Sequence, residues 1–104
     1  MKIAILGGTG ALGLGLASRW IRSGHEVLIG SRTIESAKSA CGKLNINEDQ
    51  GMLNVDAASQ AEIACLTVPF SFQLDILSEV KDALSGKILI AVSYTHLTLP
   101  TILS

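Results

Sequence analysis

Two kinds of hydrophobic pattern alternate along this chain. Uninterrupted apolar runs, such as residues 3–6 and 63–66, are typical of parallel strands that are buried on both faces. Between these runs, apolar residues recur at intervals of three and four, as on one face of an amphipathic helix. In residues 11–23 this stripe consists of Leu12, Leu16 and Trp20, with Ala17 and Ile21 beside it. The alternation predicts strand–helix repeats along the chain.

Turn and capping residues divide the pattern into nine elements. Gly24 fits the end of the first helix, and Asn54 is predicted to cap the third. The predicted strands are residues 3–6, 25–29, 52–53, 63–68 and 87–90, and the predicted helices are 11–23, 33–44, 55–61 and 71–84. This order predicts an α/β fold: a Rossmann-like, doubly wound parallel sheet with strand order 3-2-1-4-5, incomplete at the C-terminus.

A glycine-rich turn joins the first strand to the first helix. Gly8, Gly10 and Gly13 match G-x-G-x-x-G, in which the glycines allow a tight turn, close approach of a pyrophosphate and close packing of the helix on the sheet. The free N–H groups at the helix start can then hold phosphates. The motif predicts a dinucleotide site; the alternative is a purely structural turn.

The end of the second strand indicates which dinucleotide is bound. Sites specific for NAD usually carry a carboxylate there, which binds the ribose 2′-hydroxyl. This chain has Gly30-Ser31-Arg32 instead, so Arg32 can pair with a 2′-phosphate and Ser31 can donate to it. The prediction is NADP(H). In the alternative, Ser31 caps the next helix and Arg32 is only solvated, although Thr33 can serve as that cap.

Composition excludes several other classes of protein. The 104 residues are 48% hydrophobic with a net charge of −1, which predicts one soluble domain and no binding to nucleic acid. No apolar run approaches the length of a membrane span, and the strand-like start does not resemble a signal peptide. Cys41 and Cys65 lack metal-ligand spacing, so free thiols and a cytoplasmic location are expected.

The end of the fourth strand lies next to the first strand across the switch point of the predicted sheet. Thr67, Val68, Pro69 and Phe70 occupy this position, where open α/β sheets bind ligands. An ordinary strand-ending proline is the alternative interpretation. No acid, base, nucleophile or metal constellation is visible, so no catalytic or metal-binding residue is predicted. Hydride transfer does not require one, because orientation of the rings and the cofactor's chemistry can suffice.

The last residues differ in character from the rest. Residues 92–101 can be back-translated into DNA that resembles the mosaic-end adapter of transposon-made sequencing libraries. We therefore expect residues 1–91 to be a truncated NADP-binding domain and residues 92–104 to be a non-native tail. A genuine strand and loop is the alternative.

The chain resembles the NADPH-dependent reductases of the deazaflavin coenzyme F420. The resemblance extends over residues 1 to about 90 and is closest through residue 32. It rests on the segments Lys2–Gly10, Leu12-Gly13, Gly15-Leu16-Ala17, Gly24–Val27, Gly30-Ser31-Arg32 and Leu66–Phe70.

The resemblance implies a hydride transfer between NADPH and coenzyme F420. By this likeness, Thr9, Gly10, Ala11 and Leu12 would hold the pyrophosphate, and Ser31 and Arg32 the 2′-phosphate. Val68 and Pro69 would lie near the nicotinamide. The family often has another basic residue shortly after the arginine; here position 36 is Ser36, and Lys38 is the nearest substitute.

The resemblance also implies a second, C-terminal part that holds the deazaflavin pocket and forms a homodimer. This chain lacks that part, so the fragment alone is expected to be inactive. Several alternatives remain open from the residues: a reductase of another substrate, similar to ferric reductases or pyrroline-carboxylate reductases; a semialdehyde or short-chain-type dehydrogenase domain; and a non-catalytic module that senses NADP(H).

Overall fold

The computed structural model describes residues 1–7, 9–68, 70–93 and 101–103. The strands are β1 (Lys2–Leu6), β2 (Glu26–Ser31), β3 (Gly51–Leu53), β4 (Ile63–Leu66), β5 (Ile88–Ser93) and β6 (Thr101–Leu103). The helices are α1 (Ala11–Arg22), α2 (Ile34–Leu44), α3 (Asn54–Gln60) and α4 (Phe70–Val80), and a short 3₁₀ helix covers Glu48–Gln50.

The strands form one sheet in the order β3-β2-β1-β4-β5-β6. The first five strands are parallel, which confirms the predicted fold class and strand order. Leu6 of β1 pairs with Gly30 of β2 on one side and with Leu66 of β4 on the other. The carboxyl ends of these three strands therefore meet at one edge, where open α/β sheets bind their ligands.

The core has two halves because successive side chains of a strand point to opposite faces of the sheet. Ile3 and Ile5 of β1 join the half that packs against α1 and α2, whereas Ala4 and Leu6 join the half that packs against α3 and α4. Where α1, α2 and α3 meet the sheet, they carry small buried residues: Ala17, Ala37, Ala40, Ala57 and Ala58. Small side chains let the helices approach the sheet closely.

The end of α1 follows the predicted glycine signal. Gly24 has φ +90°, and its N–H donates to the carbonyl of Ile21 at 3.0 Å. The His25 N–H donates to the carbonyl of Trp20, also at 3.0 Å, which completes a Schellman motif. Trp20 is half-buried against the core, as expected for a packing residue. The centre of the buried face is Gly13 and Ala17, flanked by the larger apolar residues.

Some element boundaries differ from the predicted ones. Strand β2 continues through Ser31 rather than ending at Ile29, so the residues assigned to cofactor recognition begin inside the sheet. The predicted cap of α3 was wrong: Asn54 is the first residue of that helix and makes no capping hydrogen bond. A sixth strand was not predicted. It pairs antiparallel with β5, from Ala91 opposite Leu103 to Ser93 opposite Thr101, and so covers an edge that would otherwise be open.

Candidate nucleotide-binding site

The turn after β1 depends on a glycine that precedes the predicted motif. Gly7 has φ +68°, a conformation that L-residues with a side chain rarely adopt. A Cβ at this position would also overlap the side chain of Val68 at the end of β4. The sequence assigned the turn to Gly8, which lies outside the described residues. The Gly-Gly pair was the available signal, since either member can make such a turn.

No side-chain cap occupies the backbone N–H groups at the start of α1. Gly10 is its N-cap residue, no side chain caps the helix, and its first turn contains no acidic residue. A Cβ at Gly10 would meet no atom within 4 Å, so the space beside this backbone is open. A helix start with unsatisfied N–H groups and an open approach favours an anionic ligand such as a phosphate.

The end of β2 presents Ser31 and Arg32 to the same edge. Ser31 is the last residue of β2 and is 7% exposed. Thr33 caps α2: its Oγ1 accepts the N–H of Ser36 at 3.2 Å and donates to the Ser36 hydroxyl at 2.9 Å. The alternative in which Ser31 caps this helix is therefore wrong. The Ser31 hydroxyl is not used as a helix cap.

A cavity of about 330 Å³ lies between these two strand ends. Its lining combines the β1 turn, the end of β2, the start of α2 and the region after β4. The lining residues are Gly7, Thr9, Ser31, Arg32, Thr33, Ser36, Asn54, Val68 and Ile76. No carboxylate belongs to this described lining, and Arg32 provides a positive charge. The cavity thus favours a ligand that carries an anionic group and has both polar and apolar parts.

Asn54 is a residue of this cavity that the sequence did not assign to the site. Its side chain is fully buried, and its Oδ1 accepts the N–H of Gly7 at 3.0 Å. Its Nδ2 has no hydrogen-bond partner within the described part of the chain. Its position after β3, which pairs with β2, was the available signal, because that strand end belongs to the ligand-binding edge.

The segment after β4 closes the cavity from the other side. The Thr67 hydroxyl donates to the carbonyl of Leu6 at 3.2 Å and so ties β4 to β1. The Gln73 amide donates to the carbonyl of Val68, also at 3.2 Å, and holds the position of the segment that precedes α4. Val68 lines the cavity. Pro69 lies outside the described residues.

Other predicted residues lie away from the main cavity. Ala11 and Leu12 line a separate depression with residues of the outer face of α1, and Gly13 is buried. Lys38 is exposed and is not part of the cavity lining. It lies two residues after Ser36, which places it about 200° around the helix from that serine. Lys43 instead shares an adjoining depression with Thr9 and Ser36.

The two cysteine thiols, Cys41 and Cys65, are expected to be unreactive at neutral pH. Burial raises the pKa of the Cys65 thiol to about 11. Burial, with a smaller contribution from the Glu48 carboxylate, also raises the pKa of Cys41. A raised pKa keeps a thiol protonated and unreactive at neutral pH. Within residues 1–7, 9–68, 70–93 and 101–103, no group of three or more His, Cys, Asp or Glu side chains could hold a metal ion.

In the part of the chain that the structure describes, no helix is both long enough and apolar enough to cross a membrane.

Fold and cavity together define a dinucleotide-binding domain of the doubly wound α/β class. The chain belongs to the family described as NADP oxidoreductase, coenzyme F420-dependent, whose model matches residues 2–94.

Similar curated proteins bear out this membership. An F420-dependent NADP reductase of Methanothermobacter marburgensis is 52% identical over 96 residues, which cover 86% of this chain and 43% of the relative. A reductase of the same name from Methanocaldococcus jannaschii is 38% identical over 100 residues, covering 88% and 44%. The chain thus matches somewhat less than half the length of these relatives.

Solved structures show the same architecture. A crystal structure described as an F420-dependent NADP reductase from Arthrobacter sp. FB24 matches 97% of this chain and 50% of its own, with TM-score 0.74 and 26% identity. An NAD-binding semialdehyde dehydrogenase from Cupriavidus necator matches 88% of this chain and 32% of its own, with TM-score 0.70 and 21% identity. At that identity the second likeness shows the fold alone.

Proposed function

We propose that this chain is the NADP(H)-binding part of an oxidoreductase that transfers a hydride between NADPH and the deazaflavin coenzyme F420. The observation that carries the cofactor assignment is the end of β2, where Ser31 and Arg32 line a cavity whose described lining contains no carboxylate. A carboxylate at this position would repel a 2′-phosphate, whereas a guanidinium can form charge-assisted hydrogen bonds with it. Relatives named F420-dependent NADP reductases support the co-substrate.

In this proposal the start of α1 and the cavity receive different parts of the cofactor. The pyrophosphate lies against Thr9, Gly10 and the start of α1, including the backbone of Ala11 and Leu12. The 2′-phosphate lies against Ser31 and Arg32. Val68 supports the ribose and nicotinamide from the end of β4. Gly8, Pro69 and Lys38 remain predictions, since the first two lie outside the described residues and Lys38 is not part of the cavity lining.

The proposed hydride transfer does not require an acid, a base or a nucleophile from the side chains. NADPH would supply the hydride when bound, and the residues of the chain would hold and orient the cofactor. We infer that the deazaflavin pocket belongs to the length that the relatives have beyond this chain. The isolated chain is then expected to bind NADPH but not to catalyse turnover.

Binding titrations with NADPH and NADH test the cofactor assignment. The chain should bind NADPH more tightly than NADH, and Arg32→Ala should remove most of that difference. Loss of one charge-assisted contact corresponds to about 1.5–3 kcal/mol. Arg22→Ala is a matched control, because Arg22 is an exposed arginine in the last turn of α1. Equal affinity for both cofactors, or an Arg32→Ala variant that retains the preference, would contradict the assignment.

Several further features belong to this proposal. We propose a cytoplasmic location, because both cysteines are buried free thiols. We propose that the full-length protein is a homodimer. We also propose that it has no nucleic-acid partner, because the net charge of −1 offers no basic excess. We also propose that residues 1–91 form the natural domain and that residues 92–104 are a non-native tail. The family match ends at residue 94, close to this boundary. Genomic DNA that encodes the same residues through and beyond codon 92 would contradict the tail.

A further inference from the structure

Asn54 is a buried polar side chain of the cavity whose hydrogen bonding is incomplete in the described part of the chain. Its Oδ1 accepts the Gly7 N–H, and this contact identifies which end of the amide is the oxygen. The Nδ2 group is buried and has no acceptor in the described part of the chain. A buried donor without a partner is costly, so such groups usually have a structural or functional explanation.

The amide of Asn54 lies between the ends of β1 and β2. Its Oδ1 is 3.0 Å from the Gly7 nitrogen, and a Cβ on Gly30 would come within 2.7 Å of the same oxygen. Gly30 therefore has to be a glycine for Asn54 to reach this position. Leu6 and Gly30 are paired across the two strands, so Asn54 spans the gap at the carboxyl edge of the sheet.

The covalent structure of NADP(H) determines which group occupies this gap. The proposed pyrophosphate position follows β1, and the proposed 2′-phosphate position follows β2. The adenosine ribose joins these two groups, since it carries the 2′-phosphate and is linked through its 5′-oxygen to the pyrophosphate. It must therefore lie across the ends of β1 and β2, beside Asn54. Its one free hydroxyl in NADP(H) is the 3′-hydroxyl.

We propose that Nδ2 of Asn54 donates a hydrogen bond to the 3′-hydroxyl oxygen of the adenosine ribose. Asn54 then has two roles: its oxygen holds the positive-φ turn at Gly7, and its nitrogen positions the sugar between the two phosphate sites. This inference rests on the proposed cofactor, but it concerns a part that NADPH, NADH and ADP share. Asn54 is therefore expected to affect affinity for all three, whereas Arg32 affects only ligands with a 2′-phosphate.

A double-mutant cycle between ligand and protein tests the contact. The probes are 5′-ADP and 3′-deoxy-5′-ADP, titrated into the unsubstituted chain and into Asn54→Ala, with binding followed by NMR. The unsubstituted chain should bind the 3′-deoxy probe roughly 10-fold more weakly, and Asn54→Ala should bind both probes equally. The ratio of the affinities for the two probes is compared between the variants, so that effects of Asn54→Ala that weaken both probes equally, such as a change in the Gly7 turn, cancel. Asn47→Ala is the control, because Asn47 is an exposed asparagine whose side chain accepts a backbone N–H outside the cavity.

The outcomes separate this inference from the proposed function. Equal affinity of the unsubstituted chain for the two probes would overturn the contact, even if the Asn54 variant does not fold. A preference for 5′-ADP that persists in Asn54→Ala would also overturn it. Neither result would affect the 2′-phosphate site, which the Arg32 titrations test independently. Conversely, equal binding of NADPH and NADH would contradict the proposed cofactor while the ribose contact could still be measured with 5′-ADP.

Discussion

Replacing Gly7 by alanine should destabilise the fold at the turn that shapes the cavity. The φ of +68° costs an alanine about 1–2 kcal/mol relative to glycine. The new Cβ would also overlap Val68 and lie 3.3 Å from the Cδ1 atom of Ile76. Crowding of this kind typically adds about 1–3 kcal/mol. We therefore expect a loss of about 2–5 kcal/mol in the free energy of unfolding, which is a large part of the stability of a small domain.

Urea denaturation followed by far-UV circular dichroism measures this loss. Gly42→Ala is the matched control, because Gly42 lies within α2 and a Cβ there would meet no atom within 4 Å. This control should stabilise the protein by roughly 0.5–1 kcal/mol, since alanine loses less backbone entropy than glycine in a helix. A Gly7→Ala variant as stable as the unsubstituted chain would refute the description of this turn.

Two other predictions concern the sheet. Gly30→Ala should lower stability by about 1–3 kcal/mol and weaken NADPH binding, because its Cβ would lie 2.7 Å from Asn54 Oδ1 and 3.2 Å from Leu6 Cδ2. Urea denaturation measures the stability, and titration with NADPH measures the binding. Unchanged stability and affinity would contradict this close packing of Gly30 against Asn54. Burial raises the pKa of Cys65 from 9.0 to about 11, so the folded state retains a proton that the unfolded state loses between these values. The unfolding free energy should be fully maintained below pH 9 and fall by up to roughly 2–3 kcal/mol as the pH rises to 11. Subtracting the pH profile of Cys65→Ala isolates this contribution, and parallel profiles would contradict it.

The architecture was predictable because it depends on patterns that recur locally. Short apolar runs and helical stripes determine the order of elements, and the crossover rule for parallel strands restricts the topology. The glycine after α1 and the threonine before α2 acted as the sequence indicated, because Gly24 and Thr33 form local contacts with neighbouring residues. Such contacts require no knowledge of the tertiary structure.

The incomplete parts of the prediction involve contacts between distant segments. Asn54 was expected to cap α3, but its side chain instead binds the N–H of Gly7, 47 positions earlier in the chain. Lys38 was chosen by its distance along the sequence from Arg32, whereas the helix places Ser36 in the cavity lining and leaves Lys38 outside it. Spacing alone does not indicate which strand ends and helix faces surround a cavity.

The most direct test of the 2′-phosphate site compares 2′,5′-ADP with 5′-AMP by isothermal titration calorimetry on the unsubstituted chain. Adenosine 2′,5′-bisphosphate (2′,5′-ADP) and 5′-AMP differ only in the 2′-phosphate, and neither needs the nicotinamide or deazaflavin regions. We predict that 2′,5′-ADP binds at least about 10-fold more tightly, because Arg32 forms charge-assisted hydrogen bonds with the added phosphate. The difference should shrink as salt screens that interaction. Equal affinities for the two ligands would contradict the assignment of NADP(H) to this cavity.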